Sequence, residues 1–435
     1  MRVKALAAIL LSCAPAGSAC AGPIQDLNRF SQAADDGLSA YRARNWAAAE
    51  QAFAKAYRIA PQRALALYYL AASAARLGES AKALQWLDGF ADFGTGALLD
   101  PDHAFAGMAQ LPRLAQIQAK FASKSAARCA CLPIFEGKAA AFIAEGLAYD
   151  DISGRLLVSG VWPRRIVVIH QGREQGFAQL PDGLSPFGMR VDARRKLIWV
   201  AAASVAQNEG ARAGEGGRSA LLGYDLRNGA LRMRYDTPPP TRGRALNDVT
   251  LGPDGSVYAS DANEGSIFRL AAGASALHPV CAFGILKSPQ GMVVNASGRR
   301  LLVADYAAGL ITLDLTSCEI RQVAVPNGVT TLTMDGLAQL ADGSFAATQN
   351  GIHPARLVHF RLSPDWGRIV SFAVAAQGPR FRDPTLLAIH GTKVLAITGS
   401  QWASFDDGSE PVRPLSAWRV LAVSLPHLSA VRTDH

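Results

Sequence analysis

Long apolar runs are missing from this chain of 435 residues. No uninterrupted stretch reaches the roughly 18 residues of a membrane helix, which excludes an integral helical membrane protein. Lysine is scarce, at 9 of the 44 basic residues. With no basic helix, zinc spacing or aromatic-basic strip, nothing prompts nucleic acid as a partner. The nucleophile elbow G-x-S-x-G, the zinc motif H-E-x-x-H and the P-loop are absent, so those chemistries have no support. Cysteine is limited to six, and no His pair stands at zinc spacing beside Cys129 and Cys131. What is present is 49% hydrophobic residues, 18% charged residues, 40 Gly and 23 Pro. That is globular composition, too apolar for disorder and too long for one average domain.

Arg2 and Lys4 precede an apolar run, and Ala19-Cys20-Ala21 offers small residues before Gly22. The pattern predicts a secretory signal peptide over 1–21 and an exported chain, periplasmic or secreted. Cleavage would leave 414 residues at net charge +7, with Cys129, Cys131, Cys281 and Cys318. Disulfides are allowed in that compartment, and of three pairings Cys281–Cys318 is favoured.

Residues 24–125 are Ala-rich, with apolar positions three and four apart, and predict helices. From about Leu132 the period becomes two. A turn followed by a strand of alternating apolar residues recurs six times, as GRLLVS, KLIWVA, GSVYAS, GRRLLVA, GSFAAT and GTKVLAI, spaced 42 to 59 residues apart. That spacing suits one four-stranded blade, and six blades over 132–432 is the economical solution. The expected fold is mainly β, a six-bladed β-propeller after a small α-helical domain; a large β-sandwich is the alternative.

Eight or nine residues before each turn the innermost strand should begin, at Glu145, Phe187, Asn247, Gln290, Asp335 and Asp383. Such starts face one mouth of a propeller channel. Five of the six carry side-chain oxygen, and a ring of hard donors suits Ca²⁺ or another divalent ion, Zn²⁺ and Mn²⁺ included. Unpaired carboxylates in a narrow mouth would be costly without a cation. A solvated polar rim is the competing reading.

Three resemblances stand beside these readings. GLSAYRARNWAAAEQAFAKAYRIAP resembles a tetratricopeptide repeat, with Gly37, Trp46, Ala49, Phe53, Ala56 and Pro61 at its spacing. A weaker copy follows at Leu67, Leu70, Ala83 and Leu87, then DPDHAFAGMAQLPRLAQIQAKF as a capping helix pair. Repeats of this kind imply packing or contact with a protein partner rather than chemistry. EGLAYDDISGRLLVSG, LNDVTLGPDGSVYASD, SPQGMVVNASGRRLLVAD and MDGLAQLADGSFAAT resemble the senescence-marker-protein, gluconolactonase and luciferin-regenerating-enzyme family, with paraoxonase more distant. The resemblance implies Glu145 and Asp335 as metal ligands and Asn247 with Asp248 as the Asn-Asp pair near water or substrate. Gln290 stands where the family has Asn, and Ala245 where some members have an Arg for acidic sugars. SALLGYDLRNGALRMRYDTPPPTRGRALNDV is similar to the royal-jelly and yellow proteins, which implies a ligand-binding propeller instead.

The family resemblance implies a metal-dependent lactone or ester hydrolase acting on a small molecule. An ion at the ring would polarise the carbonyl and acidify water. Asp248 or Asp383 is the candidate base, together with Asp335 among the catalytic acids. His353 is either a further base or a loop-surface histidine. Long loops at 204–219 and 399–416, the latter with Trp402 and Phe405, read as a lid and an apolar wall or as plain insertions. Between Arg190 and Arg244 stand 11 basic and 5 acidic residues, which would favour an anionic substrate.

Overall fold

The computed structural model describes residues 22–96, 103–211, 216–238 and 243–429. The expected leader lies outside them, as do residues 212–215 of the first long loop. Five helices come first: α1 (Pro23–Arg42), α2 (Trp46–Ile59), α3 (Ala64–Arg76), α4 (Ser80–Phe93) and α5 (Pro112–Ser125). Proline opens α1 and α5, where its missing N–H costs nothing. Asn45 caps α2 by accepting from the Ala48 N–H at 3.2 Å.

Ala49, Phe53, Ala56, Leu70, Ala83 and Leu87 are fully buried, and Leu67 nearly so. Helices α1 and α2 close on each other because Gly37 has no side chain. A Cβ there would lie 2.9 Å from the Phe53 ring. The segment expected as a capping pair forms a single full helix among the described residues. A short 3₁₀ turn, Ala106–Met108, precedes α5. Pro112 explains the difference, since it starts a helix and cannot continue one.

Six antiparallel sheets follow in chain order. The fold is a six-bladed β-propeller behind a small helical bundle, and separate radial sheets exclude the sandwich. The six recurrent sequence units are the second strands of the six blades. Five blades are built from consecutive strands. Blade 6 instead takes its outermost strand, Cys131–Glu136, from the start of the propeller segment, paired with Arg419–Ser424. Arg128–Cys129 also adds a short edge to blade 5.

No blade can bury both faces alone, so each neighbouring pair encloses a core. Leu157 and Ile198 share the core between blades 1 and 2, Trp199 and Phe268 that between 2 and 3, and Leu302 and Phe345 that between 4 and 5. Val158 and Ile397 seal blade 6 to blade 1. Cys281 is joined to Cys318, as favoured, and Cys129 to Cys131.

The helical bundle sits on the propeller at blades 4 and 5. Gln62 donates to the Ala308 carbonyl and accepts from Thr331, while Arg63 donates to the Ala307 carbonyl. Gln377 donates to the Lys124 and Ala126 carbonyls at the end of α5, each at 2.8 Å. Ala307 and Ala308 follow a second strand, Thr331 precedes an inner strand and Gln377 ends a fourth strand, so the helices lie on the face where the inner strands begin.

Candidate functional site

Innermost strands begin at Ala144, Ser185, Leu246, Pro289 and Met334 in blades 1 to 5. In each, the pairing with the second strand shifts at the same place: Ala144/Leu147, Pro186/Met189, Leu246/Val249, Pro289/Met292 and Met334/Leu337. A β-bulge of this kind re-aims one side chain. It brings Glu145, Phe187, Asn247, Gln290 and Asp335 to one level of the channel.

Four of the five bulges carry glycine next, because neighbouring strands touch there. A Cβ at Gly146 would lie 2.0 Å from the Phe187 carbonyl oxygen, and one at Gly291 would lie 2.5 Å from the Leu337 nitrogen. Blade 3 alone of these five places a side chain at that position, Asp248. The bulge N–H groups need acceptors, and second-strand hydroxyls supply them. Ser159 accepts from Gly146 at 2.6 Å, Ser260 from Asp248 at 3.0 Å and Thr348 from Gly336 at 2.9 Å.

The sixth position is a correction. Asp383 is exposed and stands outside the ring; Thr385, buried, occupies the equivalent place. Thr348 donates to the Thr385 carbonyl at 2.6 Å as Ser159 does to the Phe187 carbonyl at 2.9 Å. The hairpin after the blade 6 inner strand turns directly from His390 to Lys393. It is therefore shorter than its counterparts, and counting back a fixed distance overshoots.

Three carboxylates share the mouth. Burial, the charge of Asp335 and then that of Asp248 push Glu145 well above the ordinary carboxylate range, and a 2.5 Å hydrogen bond from the Trp402 indole opposes them. Burial and Asp248 lift Asp335 to about 7, against a hydrogen bond from Asn350 at 2.7 Å. Burial lifts Asp248 to about 6, opposed by Arg190 and by the Val249 N–H. Asn350 is held in turn, accepting from the Tyr306 hydroxyl at 2.9 Å and donating to the Pro384 carbonyl at 3.1 Å. Asn247 donates to the amide oxygen of Gln290.

Among the described residues, no three His, Cys, Asp or Glu side chains form a group able to hold a metal ion. The donor set that remains is Glu145 and Asp335 with the amides Asn247 and Gln290. All are hard oxygens, whose chemistry fits a Ca²⁺-like ion. The Asn247–Gln290 bond is the contact such an ion would have to exchange.

The loop 399–416 folds over this mouth. Gln401 fixes its base, donating to the Ala140 and Ser416 carbonyls and accepting from the Phe142 and Ile143 N–H groups. Phe405 is buried, and Trp402 lies with its ring centre 6.2 Å from that of Phe187. Gln207 of the other long loop reaches the Asp406 carbonyl at 2.8 Å. The mouth thus has an apolar wall on one side and carboxylates on the other.

His353 is exposed, and among the described residues its side chain makes no hydrogen bond to Glu145, Asp248 or Asp335. With Asp383 it lines a cleft of about 710 Å³ that α5 also borders through Phe121 and Ser125. Arg244, beside Ala245, cannot take up the missing arginine's role. It is buried, paired with Glu264 at 3.1 Å and Asp261 at 3.5 Å, and stacked on Phe268 and Phe283. Asn350, Tyr306 and the indole N–H of Trp402 went unread in the sequence. All three come from loops after second strands, where no repeat fixes position.

No protein-family model matches the chain, and no curated protein matches it. Among solved structures it is similar to a luciferin-regenerating enzyme, at 12% identity over 70% of this chain and 98% of that one, TM-score 0.46. Regucalcin of Agrobacterium tumefaciens, a calcium-binding protein, aligns at 17% identity over 68% of this chain and 97% of that one, TM-score 0.44. Virginiamycin B lyase of Staphylococcus aureus aligns at 11% over 69% and 99%, TM-score 0.43. The propeller class stands on this chain's own six sheets, since likenesses this distant carry nothing further.

Proposed function

We propose that the chain is an exported, divalent-metal-dependent hydrolase of lactone or ester type, acting at the propeller mouth. The observation that supports this is the convergence of buried Glu145, Asp248 and Asp335 with two amide oxygens at one level. Glu145, Asp335, Asn247 and Gln290 would hold the ion, Ca²⁺ ahead of Zn²⁺ or Mn²⁺. When bound, it would supply Lewis-acid polarisation of a carbonyl and acidify an attacking water.

The protein groups would do the rest. Asp248, near 6, is placed to take a proton from water close to neutral pH. Trp402 orients Glu145, and Asn350 orients Asp335. Phe187, Trp402 and Phe405 would receive the apolar part of a small substrate, a lactone or an anionic ester. His353 and Asp383 have no part in this step. Export accords with the amino-terminal pattern and with two disulfides. The helices, in the tetratricopeptide-like reading, would offer a surface for a protein partner.

A second reading is a non-catalytic ligand-binding propeller. It is favoured by the Asn247–Gln290 hydrogen bond, which engages two of the four donors with each other. Equilibration with Ca²⁺, Zn²⁺ or Mn²⁺ followed by elemental analysis separates the two, alongside turnover of a lactone and aryl-ester panel. A stoichiometric ion, lost in Glu145→Gln and Asp335→Asn, together with hydrolysis, supports the first reading. A channel that takes up no divalent ion at millimolar concentration overturns it.

A further inference from the structure

The far end of the channel carries an unmatched positive charge. There the second halves of all six inner strands line an open cavity of about 340 Å³. Its wall mixes aliphatic side chains, Leu147, Met189, Leu251, Val293 and Ile389, with the polar residues Tyr149, Thr250 and Gln339. Two lining residues are charged, Asp151 and Arg190. Asp151 has a partner, since His390 lies 3.2 Å away and itself packs on Tyr149. Arg190 has none: among the described residues it makes no hydrogen bond or ion pair, and its Nε is buried without an acceptor. Asp248 feels its charge through the channel but does not contact it. Buried guanidinium N–H groups are normally satisfied, so this one invites an explanation.

We propose that this cavity is a second binding site, separate from the mouth, for a small molecule with one carboxylate on an apolar body. Arg190 would take the carboxylate through its planar fork, including Nε, and the aliphatic side chains among the lining residues would cover the apolar body. A monoanion suits the site better than a dianion. One cation is available, and the three acids further up the channel repel added negative charge. The volume falls at the low end for small-molecule sites, which fits a ring or short chain. Arg190 lies three residues beyond Phe187 on the same strand, roughly 10 Å along it, so occupant and mouth need not overlap.

Benzoate is the probe, with neutral benzamide as its control, read by calorimetry or by saturation-transfer NMR. Benzoate should bind wild type at least about tenfold more tightly than benzamide, and Arg190→Met should lose about the same factor. Glu145→Gln should bind benzoate at least as tightly as wild type does. 4-Bromobenzoate soaked into crystals should place its anomalous bromine peak in the cavity, with the carboxylate on Arg190. That readout uses the wild-type chain and so decides even where an Arg190 variant fails to fold. Equal binding of benzoate and benzamide, unchanged affinity in Arg190→Met, loss in Glu145→Gln, or a bromine peak at the mouth would each overturn the proposal.

Discussion

Replacing Asp335 with Asn should make the metal-free protein more stable above neutral pH. Folding carries this carboxyl from an ordinary 3.8 to about 7, first by burial and then by the charge of Asp248. The folded state therefore holds the proton longer than the unfolded chain does. Its contribution to stability is fully present below about pH 4, falls as pH rises and is gone above about pH 7. Three pKa units correspond to about 4 kcal/mol. Glu145 and Asp248 relax when one charge is removed, so a gain of ~2 kcal/mol is the working figure. Asparagine keeps an oxygen to accept the 2.7 Å hydrogen bond from Asn350, which limits new losses. Urea titrations in chelator, from about pH 5 to about pH 9, read the effect. The wild-type midpoint should fall across that range and the variant's fall less, with the variant ahead at alkaline pH. Added Ca²⁺ should raise wild type alone. A flat wild-type profile, or a variant less stable than wild type at about pH 8, would refute the electrostatic account.

Two further outcomes follow from packing and covalent structure. Gly188→Ala would set a Cβ 2.3 Å from Asp248 Oδ1 and 2.6 Å from the Asp248 Cα. It should cost about 2 kcal/mol or more by thermal melting, while Gly176→Ala, with nothing within 4 Å, should change little. Removing the Cys281–Cys318 bridge by paired Cys→Ser substitution opens a loop with a sequence separation of 37. Loop entropy puts the loss near 3–4 kcal/mol, and a melting temperature indifferent to reductant would contradict it.

The repeated parts of the fold were readable and the unrepeated parts were not. Each second strand follows a turn and is buried on both faces, because one blade face packs on each neighbour, so it reads as a short apolar run. Glu145, Asn247, Gln290 and Asp335 were recoverable since five inner strands bulge at one register. Asp383 was misplaced because the blade 6 hairpin is shorter, and distance along a chain does not encode turn length. Trp402 and Asn350 reach the carboxylates, and Tyr306 reaches Asn350, from loops whose course depends on what they pack against. Arg190 is hidden for another reason. A single basic residue in a strand reads as solvent-facing until six strands close around it.

The seam in blade 6 has a kinetic side. Cys131–Glu136 is made before most of the propeller, yet its partner, Arg419–Ser424, comes near the end of the described chain. During synthesis this early strand must wait as an open edge with apolar Leu132 and Ile134, which stay exposed even when folded. Pro133 lies between them and can donate no ladder hydrogen bond. It makes the waiting segment a poor template for strand addition by other chains. Substituting Pro133 with Val would then show itself as aggregation during refolding rather than as a change in the finished ring.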